Sequence, residues 1–111
     1  MALIRNLAVS SRITPIDEWF NSLKSEKTQT LIDKAIDKVS RGLLTDNNSE
    51  PLGEGVSEFK VDSGPGYRIY YGQKGLTVVL LHGGVKKTQE RDIRKAKAYW
   101  ADYEERENAN Q

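Results

Sequence analysis

Residues 55–89 read GVSEFKVDSGPGYRIYYGQKGLTVVLLHGGVKKTQ, and their pattern decides the fold. Residues 55–61 and 66–72 alternate as two strands around the turn DSGPG, where Pro65 presets φ and the flanking glycines accept φ > 0. If the turn is symmetric about Gly64, Lys60 lies opposite Arg68 and Phe59 opposite Ile69. The alternation then puts Lys60 and Arg68 on one face, and Phe59, Val61, Ile69 and Tyr71 on the other. Gln73-Lys74-Gly75 makes a second turn. Residues 76–82, LTVVLLH, are apolar at both phases from Val78 to Leu81, as a strand covered on both faces requires. Gly83-Gly84 is expected to end that strand and to let the backbone turn sharply into a basic loop.

Outward from this sheet, the N-terminal half is expected to be helical. Residues 2–9, ALIRNLAV, suit a first strand. Thr14-Pro15 starts a helix, with Thr as N-cap, Pro at the first position and Asp17 and Glu18 in the first turn; it runs through Trp19, Phe20 and Leu23. Ser25-Glu26 begins a second helix to about Leu43, with Ile32, Ile36, Val39 and Leu43 at helical spacing. Residues 45–54, TDNNSEPLGE, read as a loop. A last helix is expected from about Thr88 to Glu105, anchored by Ile93, Ala96, Tyr99, Trp100 and Tyr103. The predicted class is α+β: an N-terminal strand, a two-helix hairpin packed on one face of a small, mainly antiparallel sheet, and a C-terminal helix. The other face is expected to stay partly open, on the side to which the cations point.

The 111 residues allow one domain, 1–111, with 104–111 as a frayed acidic tail. No apolar run approaches the roughly 20 residues that cross a bilayer, and residues 1–12 are too interrupted for a secretory segment. The expected location is cytoplasmic, without membrane partners. The chain has no cysteine and one histidine, so thiolate and multi-histidine metal sites are excluded; no metal or cofactor is expected. Net charge is only +1, yet residues 60–97 hold nine Lys/Arg against three Asp/Glu, a local balance of +6. A basic surface of that kind suits a polyanion, and a nucleic-acid backbone is the candidate of the right size.

The candidate residues follow from that surface. Arg68 suits phosphate because its planar fork gives two parallel hydrogen bonds, and Lys60 adds a compact charge. Like charges directly opposite on a sheet destabilise it, which a fold tolerates where the positions serve a ligand or where Glu58 and Tyr70 soften the repulsion. Lys86 and Lys87, before a helix start at Thr88, make a basic loop beside a helix N-terminus. Lys74 and Arg91 belong to the same basic surface. Tyr70, on the Arg68 face, is a candidate for stacking a base or for proton transfer. His82 is the only imidazole; acid–base work and a packing role at the edge of the core are both open to it. No Ser-His-Asp pattern, phosphate-cradling glycine loop or paired-acid constellation is present.

The run GVSEFKVDSGPGYRIYYG, then an apolar strand, GGVKKTQ and D-I-x-x-A, with WFNSLK in the early helix, resembles the addiction-module killer proteins, HigB-like members of the RelE/ParE toxin superfamily. The resemblance covers about residues 15–103 and implies a RelE/ParE-like fold. It implies the toxin of a type II toxin–antitoxin pair, with a helix-turn-helix antitoxin as partner and operator DNA met only through that complex. Many members cleave mRNA on the ribosome without a metal, by attack of the ribose 2′-hydroxyl on the adjacent phosphate. With that resemblance Arg68, Lys60 and Lys87 are the catalytic candidates and Lys86 a backbone contact; the reading of the residues adds Tyr70, Lys74, His82 and Arg91 as RNA-contact candidates. Val85 stands where relatives carry an acid, and His82 where relatives more often carry a small or apolar residue. The superfamily also holds ParE-type gyrase inhibitors that are not nucleases, so that function is the alternative. A remnant that only represses its operator with a partner is a third reading.

Overall fold

In the computed structural model residues 14–75 and 77–109 are described, so the strand expected over 2–9 lies outside the described residues. The first helix, α1 (Pro15–Ser22), starts on a capping box: the Thr14 hydroxyl accepts from Asp17 N, and the Asp17 carboxylate accepts from Thr14 N at 3.3 Å. Ser25 caps α2 (Glu26–Ser40) by accepting from Thr28 N at 3.2 Å. Ile32, Ala35 and Val39 form the buried stripe of α2. The helix stops short of Leu43, because Gly42 takes φ 74°, and Leu43 itself is exposed.

Among the described residues the sheet has four strands, β1 (Ser49–Gly53), β2 (Val56–Val61), β3 (Tyr67–Lys74) and β4 (Thr77–Val85), antiparallel and in chain order. Strand β1 falls in the stretch expected to be a loop. Its Ser, Glu, Pro and Gly are residues an exposed edge strand tolerates, so composition hides it. Lys60 opposes Arg68 and Phe59 opposes Ile69, the register expected from the turn, with Gly64 and Gly66 at φ 53° and 78°.

Both faces of the sheet are covered, which corrects the open face expected above. Ile16 of α1 and Ile32, Ala35 and Val39 of α2 pack on Phe59, Ile69, Tyr71, Val78 and Leu80. On the opposite face α3 (Gln89–Ala109) lays Ala96 and Trp100 on Val56, Tyr70, Val79 and Leu81. The expected helix hairpin is also not formed. Helix α1 packs chiefly on β4 and α2 on β2, with helices before and after the sheet rather than a pair docked as a unit. Helix α3 runs past the expected end at Glu105 to Ala109, into residues given above to an acidic tail; Arg106 pairs there with Asp102 at 3.1 Å.

The glycines of β3 and β4 do different work from that expected. Strand β4 does not end at Gly83-Gly84 but continues to Val85, and neither glycine has positive φ. A Cβ on Gly83 would fall on the Trp19 indole, and one on Gly72 would fall on the Trp100 indole of the other layer. Each face thus seats one tryptophan in a notch that only glycine leaves. Gly72→Ala and Gly83→Ala should each cost about 1–3 kcal/mol through overpacking. Urea unfolding of the two variants checks this; an unchanged midpoint would show that the indoles move aside freely.

Candidate nucleic-acid interface

The site begins with the alternation of β2 and β3, which turns Glu58, Lys60, Arg68 and Tyr70 toward the α3 side of the sheet. One extra residue in β4, Leu81, bulges between the partners of Tyr70 and Tyr71. The bulge keeps Leu81 in the α3 layer while His82 stands opposite Tyr70, also toward α3. Beyond it a 3-10 turn, Lys86–Thr88, leads into α3. Lys86 N donates to Gly66 O at 2.7 Å, and the Lys86 stem lies beside Gly66, so the basic loop is tied to the turn next to Arg68.

Lys60, Arg68, Lys86 and Lys87 therefore gather at one end of the sheet, around the β2–β3 turn and the entry to α3. Lys86 and Lys87 are exposed, and Lys60 is half-buried. The Lys60 ammonium meets Glu50 of β1 at 3.0 Å. That carboxylate, rather than Glu58 or Tyr70, offsets the Lys60–Arg68 repulsion, and it sits in the strand the sequence hid. Glu58 is instead buried and accepts from Gln89 Nε2 at 2.9 Å, which ties the first turn of α3 to β2. Lys74 lies at the far end of β3, opposite Thr77 and away from the cluster by about 20 Å of strand. Arg91 is exposed on the first turns of α3, its Nε 3.4 Å from Asp92.

Arg68 is only 6% exposed. Its Nη1 donates to Tyr67 O at 3.1 Å, and among the described residues Nε has no partner. Two more buried polar atoms on this face share that condition, Tyr70 OH and His82 Nδ1. Buried polar atoms are nearly always satisfied, so three on one face single it out as the candidate site. Tyr70 is fully buried, which removes the expected role of stacking on a base. Burial, with Glu58 and Asp92 nearby, holds its phenol well above the usual range, so it stays a neutral hydroxyl.

His82 lies between two rings, Tyr70 roughly parallel at 6.5 Å and Tyr99 edge-on at 5.8 Å. Its Nε2 is 3.2 Å from Asp92 Oδ1. Asp92 is 1% exposed and also accepts from the Thr88 hydroxyl at 2.5 Å. A Cβ on Gly84 would collide with this carboxylate, so the second glycine of the pair makes room for it. Burial lowers the His82 pKa below its ordinary value, with Asp92 opposing the shift. Sequence reasoning missed Glu50, and it gave no site role to Thr88, Gln89 or Asp92 although all three lie in the GGVKKTQ and D-I-x-x-A runs. In the sequence Asp92 stands only as the acid of the D-I-x-x-A run, and nine intervening residues separate it from His82 with no period that joins them.

The arrangement defines an α+β domain with a cation-lined sheet end closed by the start of a long helix. The chain belongs to the family described as Phage derived protein Gp49-like (DUF891), whose model matches residues 18–101. That family is toxin-like and related to addiction modules. The chain is 38% identical over 82 residues to an uncharacterized protein of Haemophilus influenzae, covering 73% of this chain and 81% of that one. No solved structure matches significantly. Among the described residues no helix is long and apolar enough to cross a membrane.

The depressed His82 pKa has a consequence for stability. The unfolded chain takes up a proton near 6.5 while the folded chain does not. This contribution should be complete above about pH 6.5 and diminish as pH falls below it. Urea midpoints measured from pH 5 to 8 should show that decline in the wild type and a weaker one in His82→Gln. Equal pH dependence in both would place the titration elsewhere.

Proposed function

We propose that this protein is the toxin of a type II toxin–antitoxin pair, and that it cleaves mRNA on the translating ribosome without a metal. The observation that carries the reading is the Lys60–Arg68 pair, directly opposed on the face that also holds three buried polar atoms unpartnered among the described residues. In this reading the Arg68 guanidinium stabilises the charge that builds on the phosphate as the 2′-oxygen attacks. Lys60, steered by Glu50, orients the backbone from the other strand. Lys86 and Lys87 hold flanking phosphates, where exposed lysines bind without sequence preference. A protein antitoxin, with an acidic segment to complement the cluster, would silence the site by covering it.

Burial of Arg68 is the observation that favours the other reading, a non-enzymatic inhibitor of DNA gyrase. In that case toxicity resides in exposed helical surfaces and survives the loss of Arg68. The two part cleanly in one experiment. Arg68→Ala should lower the cleavage of ribosome-bound message by about 100- to 1000-fold and relieve growth arrest. Wild-type protein that arrests growth, leaves message intact and blocks supercoiling would establish the gyrase reading instead.

A further inference from the structure

We infer that His82 is the proton acceptor of the cleavage reaction and that Asp92 is the residue that positions it; this rests on the nuclease reading above. The geometry is a carboxylate–imidazole dyad at the closed end of the cation face. A carboxylate oxygen only accepts, so the 3.2 Å contact between Asp92 Oδ1 and His82 Nε2 places the ring proton on Nε2. Nδ1 is then the bare lone pair, and it is one of the three buried atoms without a partner. Orienting a base through its far nitrogen is how a carboxylate prepares an imidazole for proton transfer.

The dyad is held from several directions. Thr88 donates to the other Asp92 oxygen, and Gly84 gives the carboxylate its space. His82 is faced by Tyr70 from the sheet, and by Asp92, Arg91, Lys95 and Tyr99 from α3. Lys95 and Arg91 disfavour a charged ring, and so does burial; Asp92 favours one. The ring is therefore neutral near pH 7 and ready to take a proton without first losing one. The Tyr99 ring packs edge-on against the imidazole and is only partly buried, so this side of the dyad borders solvent.

Nδ1 takes the proton of the ribose 2′-hydroxyl, and the freed oxygen bonds to the adjacent phosphorus while Arg68 holds the equatorial oxygens. The bond from phosphorus to the 5′-oxygen breaks, leaving a 2′,3′-cyclic phosphate. The departing 5′-oxygen takes a proton from solvent water, and the imidazolium returns its own to solvent.

Two measurements test this. Nitrogen-15 NMR of wild-type protein at neutral pH should show the Nε2–H tautomer with unprotonated Nδ1; the opposite tautomer or an imidazolium overturns the inference, whatever the protein cleaves. In the ribosome assay His82→Gln should lose about 100-fold or more, with partial rescue by free imidazole in His82→Gly. Asp92→Asn should lose at least about tenfold, and the acid limb of its rate profile should move to lower pH, because the charge that favours protonated His82 is gone. Wild-type protein that cleaves nothing refutes the nuclease reading and this step with it. Wild type that cleaves while His82→Gln matches it, with the same pH profile, refutes only the base.

Discussion

A guanidinium does not deprotonate in proteins, so a fold that buries Arg68 to 6% exposure must satisfy the charge or leave it waiting. Here it does both. Nη1 is satisfied by its own strand through Tyr67 O, while Nε has no partner among the described residues. Directly across the ladder stands a second cation, Lys60, whose repulsion Glu50 moderates from the edge strand. Burying one polar atom unsatisfied costs about 1–3 kcal/mol, and more for a charged group. A small domain carries that cost most readily where an anion repays it, and a phosphate oxygen is the anion a planar fork fits.

The rest of the molecule keeps this pair in place. Two tryptophans in two glycine notches lock the layers to opposite faces of β3 and β4. The bulge at Leu81 brings His82 opposite Tyr70, and the Gln89–Glu58 and Thr88–Asp92 bonds fix the start of α3 against the sheet. The same residues thus serve stability and site geometry. Gly84 shows it most directly: it spares a carboxylate a collision, and that carboxylate orients the imidazole.

What the sequence revealed and what it hid follow from the range of the interactions. The Lys60–Arg68 register was legible because one turn, Gly64-Pro65-Gly66, fixes it within nine residues. The helix starts were legible because Thr14 and Ser25 bond within three residues of themselves. The covering of the cation face by α3 was not legible, since the weakly amphipathic stripe on that helix does not say which face of the sheet it meets. Strand β1 escaped because Ser, Glu, Pro and Gly outnumber its single apolar residue, Leu52, and carry no β signal. The glycine pair was misread as a chain break because bulk avoidance and backbone freedom leave the same letter in a sequence. The dyad of His82 and Asp92 escaped for lack of any local pattern. The resemblance to toxins directed attention to β3 and the basic loop, and it carried no catalytic role to His82.

The claim at the centre is that the opposed cations, with the buried Arg68 Nε, await a phosphate. The Arg68 Nε–H resonance can be followed while a short single-stranded RNA, 2′-O-methylated to block cleavage, is added at low salt. The account predicts a large shift of that resonance and slower hydrogen exchange, both lost in Lys60→Ala. An Arg68 signal that stays unmoved while exposed lysines shift would contradict it.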